Sequence, residues 1–445
     1  MPWVRSRSAV AAATFASPNI AASIEAGVRD GALSPGSKLP PVRRLASHLG
    51  VSPVTVSAAY RTLRGRGLVA TDGRRGTSVS LGPALPTRAL APVPAGVRNL
   101  ADGNPDQRLL PSLRSALRQV SVVPRLYSER PDLSTLVDLA RRGFLADAVP
   151  ADAVTVVAGA HDGFERVLSA HLRQGDRIAV EDPGHANLLD LVGALGLQPE
   201  PVPVDDSGLI PDHLERALRA GAHAVFLTPR AQNPTGAALD EPRTRDLRAV
   251  LRRFPETLVI EDDHSTTVAG APARTLVDRR LARWAVVRGV SKTLGPDLRL
   301  AVLAGDTTTV ARVEGRRLLG AGWVSGIVQM LTVALWSDTD VGELIERAAE
   351  TYAERRTALV DALAAEGIPS HGQSGFNVWI PVAAERTPSR LLLEAGWAVS
   401  PGERFRLASP PGLRVTAATL QPDEARRFAK DMARTLQPST GTYGA

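Results

Sequence analysis

The sequence contains no cysteine. That excludes disulfides, thiolate metal sites and a cysteine nucleophile, and it fits a reducing cytoplasm. No apolar run is long enough to span a bilayer, so no membrane anchor is expected. The opening MPWVRSRSAVAAATFA sets arginines before an alanine-rich patch, as a signal peptide does. The patch is short and poor in leucine, and a folded-looking segment follows at once, so a signal peptide is not expected. Lysine is nearly as scarce as cysteine. Of 53 Lys+Arg residues, only Lys38, Lys292 and Lys430 are lysine. One of the three stands in the stretch GVSKTLGPDLRL, residues 289–300, and needs a reason.

What is present suits a globular protein. The 445 residues are 44% hydrophobic and 22% charged, a soluble composition with length for about two or three domains. The charge is unevenly placed. Residues 1–80 hold eleven basic and three acidic residues, +8, leaving 42 basic and 43 acidic beyond them, −1 against a total of +7. A basic module on a neutral body implies a polyanionic partner for that module alone.

The local patterns divide the chain into a module over 1–80, a linker over 81–98 and a second domain over 99–445. In the module, Ile20, Ile24 and Val28 form a helical stripe ending at Gly31. A second short helix runs from about Pro41 to Leu49 and stops at Gly50. Ser52 caps a third, with Pro53 in its first position. Residues 68–80 alternate as two short strands around Asp72-Gly73-Arg74-Arg75-Gly76, a hairpin with a basic tip. Three helices and a two-stranded wing predict a winged helix-turn-helix. The second helix of such a pair enters the major groove, which points Ser52, Pro53, Val54 and Thr55 at base edges. Arg43 and Arg44 suit phosphates, and Arg74 and Arg75 suit a minor groove or phosphate.

Residues 81–98 are rich in proline and alanine and have no period, as in a semi-extended linker. From 99 onward, apolar runs such as RIAV, HAVFLT, TLVI, WAVV and LAVLAG alternate with amphipathic helical stretches. That alternation predicts an α/β domain with a mainly parallel sheet.

Lys292 follows the run WAVVRGV. Arginine stays charged, whereas a deprotonated lysine can form an imine, so a lysine in an arginine-biased chain is a candidate for covalent chemistry. A pyridoxal phosphate (PLP) site needs a carboxylate for the pyridine nitrogen, a donor for O3′, amides and an arginine for the phosphate, and an arginine for a substrate carboxylate. Each is available at the end of a predicted strand, where open α/β sheets bind ligands. Asp262 and Asp263 follow TLVI, and Asn233 lies in NPTG after HAVFLT. Gly159, Ala160 and His161 open a helix after VTVV, and its N-terminus can cradle phosphate. Arg299 lies seven residues beyond Lys292, and Arg414 sits in GLRV.

The segment from DGALSPGSKLPPVRRLASHLGVS to the wing resembles the GntR family DNA-binding domain, with Pro53 where that family usually has a polar residue. Residues from about 99 to 435 resemble a fold-type I aminotransferase through VVAGAHDGF, VEDPGH, TPRAQNPTG, VIEDDH, SKTLGPDLRL and GLRV. The whole chain resembles the MocR family of transcriptional regulators, and NLADGNPDQRLLP resembles its vitamin-B6-related branch. The resemblance implies that Lys292 forms the internal aldimine with PLP, that Asp262 pairs with the pyridinium and that Asn233 meets O3′. It also implies that Ser291, Arg299, Gly159 and Ala160 hold the phosphate, that Tyr127 reaches the partner subunit's phosphate and that Arg414 takes an effector carboxylate. Four positions depart from the family pattern: His264 for an O3′-binding tyrosine, His185 for a stacking aromatic, His161 for glutamine and Gly289 for a phosphate-binding serine. A histidine can both donate and stack. The expectation is a cytoplasmic, nucleoid-associated homodimer on paired DNA half-sites, sensing an amine, an amino acid or a B6 vitamer. The alternatives are a working aminotransferase with an incidental DNA-binding head, and a domain that binds no PLP and serves only to dimerise.

Overall fold

The computed structural model describes residues 17–65, 67–72, 76–80, 92–120 and 125–436. Arg74 and Arg75 at the expected wing tip, and residues 81–91 of the expected linker, lie outside them. The chain divides into two compact units, one built chiefly on Met1–Ala89, the other on Leu90–Leu172, Asp176–Leu189 and Pro199–Ala445.

The smaller unit contains α1 (Ser17–Arg29), α2 (Val42–Leu49), α3 (Pro53–Gly65), β1 (Val69–Asp72) and β2 (Gly76–Val79). Ile20 and Ile24 of the predicted stripe meet Leu45 and Ala46 of α2 and Val56, Tyr60 and Leu63 of α3 in one apolar core. The strands close over it in antiparallel register, Val69 opposite Val79. Gly50 ends α2 as expected, donating its N–H to the Ala46 carbonyl. The Tyr60 hydroxyl donates to the Pro40 carbonyl at 2.7 Å, which fixes the turn into α2 against α3. This is the predicted winged helix-turn-helix.

In the larger unit, β3 (Arg98–Asn99) comes first, its Arg98 held by Glu424 at 2.9 and 3.0 Å. Two helices, α4 (Leu113–Gln119) and α5 (Ser134–Ala146), lead to the main sheet. Its strands are β4 (Ala153–Val157), β5 (Arg177–Asp182), β6 (Gln198–Asp205), β7 (Gly208–Leu209), β8 (Ala222–Leu227), β9 (Leu258–Asp262), β10 (Trp284–Gly289) and β11 (Ala301–Gly305), ordered β4-β11-β10-β9-β8-β5-β6-β7. β5, β8, β9 and β10 pair in parallel. The quoted apolar runs fall on these strands to within one residue, and their Val-rich cores are buried between covering helices.

β11 runs antiparallel to both its neighbours. The chain turns back after β10 without a covering helix, so the loop 290–300 stays at the carboxyl end of the sheet. Lys292 and Arg299 ride on that loop. β6 escaped the sequence reading because Pro199, Pro201 and Pro203 remove alternate ladder donors and read as loop.

The chain ends in a smaller antiparallel sheet of β12 (Asn377–Pro381), β14 (Ser400–Pro401) and β15 (Gly412–Thr416), while β13 (Trp397–Ala398) pairs with β3. The helices Thr339–Ala365 and Pro422–Leu436 pack on this layer through Leu359, Val378, Leu413 and Phe428.

Buried charge fixes the ends of the parallel strands. Asp263 accepts from Arg230 at 2.8 and 2.9 Å and from Arg288 at 2.9 Å, and Arg288 also reaches Asp147 at 2.6 Å. Burial pushes the Asp263 carboxyl up, but the two guanidiniums more than offset this and hold it below the usual range. Its contribution to stability is therefore present at neutral pH and is lost as pH falls through that lowered range. Asp263→Ala leaves two buried guanidiniums sharing only the more exposed Asp147 as a carboxylate partner. It is expected to destabilise the larger unit by about 3–5 kcal/mol, read as a lower denaturant midpoint for that unit's unfolding.

Candidate functional site

The residues named for the pocket all belong to the larger unit, and most come together at the carboxyl ends of β4, β9 and β10. Gly159 caps α6 (Ala160–His171) with φ 92 and ψ 165, a backbone shape that L side chains rarely adopt. A Cβ there would stand 3.0 Å from an Arg299 terminal nitrogen, so the glycine keeps a gap between that guanidinium and the helix N-terminus. Ser291 is half-buried beside Lys292. At position 289 a side chain would point at Ala160, 3.7 Å away.

Asp262 ends β9 and is 2% exposed. Among the buried carboxylate oxygens of the described residues, its Oδ1 is the one with no hydrogen-bond partner. The other oxygen lies 3.4 Å from His264 Nδ1, a contact too long for a good hydrogen bond. His161 Nε2 is also buried without a partner. The His161 and His185 rings meet edge to face at 5.1 Å between centroids. Burial lowers the pKa of both, for His185 well below the ordinary range, helped by the neighbouring histidines and by the charges of Lys292 and Arg414. Both rings are thus neutral at pH 7, each with one donor and one acceptor nitrogen.

Lys292 is half-buried. Its Nζ donates to the Gly103 carbonyl at 2.7 Å and lies 5.5 Å from the centre of the Phe376 ring. Burial, and then the nearby Arg414 charge, lower its pKa to about 8, against the raising effect of Asp102 and Asp262. A substantial fraction of the amine is therefore neutral, and nucleophilic, near physiological pH.

Arg414 stands on β15 and is 4% exposed. It donates to Asn233 Oδ1 at 3.1 Å and to the Ala101 carbonyl, stacks 4.7 Å above the Phe405 ring, and has a buried, unpartnered Nε. No carboxylate pairs with it among the described residues. Burial, the first cause, and the Arg404 charge bring its pKa down to about 10. Asn233, expected at O3′, thus spends its carbonyl oxygen on Arg414. Tyr127 is 92% exposed, on a turn that packs against Trp323 at 5.5 Å, and it reaches no part of its own pocket.

Sequence reasoning did not name Ala101, Gly103, Phe376 or Phe405. The two backbone carbonyls have no side-chain signal, and the two rings come from distant segments that only the fold brings near.

In the smaller unit, Arg43 and Arg44 are exposed on the first turn of α2, and Val54 is 73% exposed at the start of α3. Pro53 is exposed beside it. The Ser52 hydroxyl is engaged, lying 2.8 Å from Thr55 Oγ1 and accepting from Thr55 N at 3.1 Å, so capping competes with base contact at both residues. Ser57, Arg61 and Arg64 continue the exposed face of α3. Their helical spacing was visible in the sequence, although they were not singled out there.

Residues 97–432 match the family described as Aminotransferase class I and II, and residues 16–79 match Bacterial regulatory proteins, gntR family. The vitamin B6 salvage pathway transcriptional repressor PtsJ of Salmonella typhimurium is 38% identical over 93% of this chain and 97% of its own. The HTH-type pyridoxine biosynthesis transcriptional regulator PdxR of Corynebacterium glutamicum is 31% identical over 76% of each. Among solved structures, a kynurenine aminotransferase of Pyrococcus horikoshii superposes with a TM-score of 0.71 at 20% identity, covering 77% of this chain and 91% of that one. At that identity the likeness speaks for the fold alone. The chain thus belongs to the MocR-type family of transcriptional regulators, in which a GntR-type DNA-binding head is joined to an aminotransferase class I and II domain.

Proposed function

We propose that this regulator holds PLP in the pocket at the carboxyl ends of β4, β9 and β10 and uses it to sense vitamin B6 or an amino-group effector. The observation that carries the reading is the set of unmet polar groups there. Asp262 Oδ1 and His161 Nε2 are buried without partners, and the Gly159–Arg299 gap is lined by a helix N-terminus and a guanidinium. That donor set fits a protonated pyridine ring with a phosphate tail.

In this reading Asp262 pairs with the ring nitrogen and keeps it protonated. The amides of Gly159 and Ala160, with Ser291 and Arg299, hold the phosphate. His185 lies against the ring, while His264, Asn233 and His161 supply hydrogen bonds along its edge. Bound there, PLP offers an aldehyde that condenses reversibly with primary amines. Lys292 supplies the resident amine, and Arg414 binds an effector carboxylate, since it is buried with no carboxylate of its own. The heads bind DNA through Arg43, Arg44 and the exposed start of α3, with Arg74 and Arg75 at the wing. Two heads in a homodimer suit paired half-sites beside the nucleoid.

The dimer is supported by exposed apolar side chains on the segments around Tyr127 and Trp323, among them Leu126, Leu319 and Ile327. Tyr127, unused by its own pocket, suits the partner's phosphate. The same division of labour suits a head ending near 80 and a body that begins by Arg98, where β3 starts.

Titrating PLP into the purified protein is expected to raise a visible absorption band that Lys292→Ala abolishes. Below pH 8 the rate of its appearance falls about tenfold per pH unit, because the neutral amine becomes scarcer. No band, or a band unchanged in Lys292→Ala, refutes the cofactor assignment. If the domain is instead a working aminotransferase, the loaded protein turns over an amino donor with a keto acid. The regulator reading expects no sustained turnover. For the head, Arg43→Ala is expected to weaken binding to unrelated DNA sequences alike and to reduce the salt slope by about 1 per head, about 2 for a bound dimer, in a fluorescence anisotropy titration.

A further inference from the structure

The pocket described above already has an occupant. The segment Ala101–Asn104 lies across it and meets the two groups that ligands need. The Gly103 carbonyl accepts from Lys292 Nζ at 2.7 Å, and the Ala101 carbonyl accepts from Arg414. Asp102, between them, raises the pKa of both Lys292 and Arg414 through its charge.

The segment is built to stay in place. Asn99 Oδ1 accepts from the Ala101 amide at 3.0 Å, and Asn99 Nδ2 donates to Asp102 at 3.1 Å. Asn104 donates to Asp102 from its backbone at 2.9 Å and from its side chain at 2.8 Å. Its ends are fixed. The Leu100 amide donates to Ala398 at 2.8 Å and its carbonyl accepts from Thr416 at 2.8 Å, while the Asp106 amide donates to the Tyr352 hydroxyl at 3.0 Å. Gly103 has φ 70, and a Cβ on it would stand 3.3 Å from both terminal nitrogens of Arg414, so both the backbone shape and the close approach favour glycine.

We infer that Ala101–Asn104 is an internal strap that competes with ligands for Lys292 and Arg414, so that filling the pocket requires the strap to let go. Resting on the reading of the pocket as a ligand site, this adds a conformational step to it. Ligand affinity is reduced by the fraction of molecules in which the strap is closed. The strap also gives the half-buried Lys292 and the buried Arg414 acceptors until a ligand arrives, and leaving Arg414 bare would be costly. A ligand that engages only Lys292 frees only the Gly103 end. One that also presents a carboxylate to Arg414 frees both.

The test is hydrogen–deuterium exchange of the full chain, read at peptides covering residues 99–106, with PLP occupancy followed by absorption in the same samples. In ligand-stripped protein, Lys292→Ala removes one of the two tethers, so the Ala101 and Asn104 amides are expected to exchange about tenfold faster. PLP added to the parent protein is expected to do the same as the absorption band appears. Asn99→Ala, which loosens the strap from outside the pocket, is expected to tighten PLP binding about threefold. Unchanged exchange in Lys292→Ala overturns the strap, as does unchanged exchange in parent protein whose band shows PLP bound. Faster exchange in Lys292→Ala with no band in the parent sustains the strap while removing PLP as its competitor.

Discussion

A charge taken out of water must find a partner, and in this protein the exceptions locate the pocket. Elsewhere among the described residues of the larger unit the buried carboxylates are met. Asp263 has two guanidiniums, and Asp106 has Arg355 and Arg108. Asp182 accepts from three backbone amides and the Ser409 hydroxyl. Glu181 and Glu261 accept from amides and neighbouring side chains, and burial pushes their carboxyls up to about 8 and about 7, which lightens the buried charge. Asp262 keeps an empty oxygen, and Arg414 has carbonyl oxygens but no carboxylate. The two adjacent aspartates of EDDH thus divide their work. Asp263 fixes the strand ends, and Asp262 is held ready beside them.

Topology supplies the remaining constraint. Because β11 returns directly from β10, the loop bearing Lys292 and Arg299 remains at the sheet's carboxyl edge, level with Asp262 and the α6 N-terminus. The antiparallel terminal sheet brings Arg414 to the same edge from over a hundred residues away. The residues proposed for covalent chemistry, for phosphate and for a carboxylate are thus brought to one edge, although the segments that carry them, apart from the loop shared by Lys292 and Arg299, are far apart in sequence.

Much of this was legible in the residues. Continuous apolar runs between amphipathic helical stretches marked the central strands. Gly50 and Ser52 marked the helix ends, and the rarity of lysine singled out position 292. The unread parts have physical reasons. Strand direction at β11 depends on how the loop returns, which composition does not encode. Three alternate prolines disguised β6. The Ala101 and Gly103 carbonyls act through backbone atoms that every residue carries, so nothing in their letters announces a role. For Ser52 and Thr55, the expected cap is there, but it also ties the Thr55 hydroxyl that the sequence pointed at base edges. The histidines at 161, 185 and 264 were visible as departures, but the edge-to-face packing of the first two, and the lean of the third on Asp262, appear only in three dimensions.

The scarcity of lysine also provides the most direct test of the central claim that one half-buried amine captures the cofactor. The full chain is incubated with PLP near pH 8, reduced with borohydride, digested and mapped by mass spectrometry. The account predicts one added pyridoxyl-phosphate group, on the peptide containing Lys292, with Lys38 and Lys430 unmodified. Modification spread over all three lysines, or absent from Lys292, would contradict it.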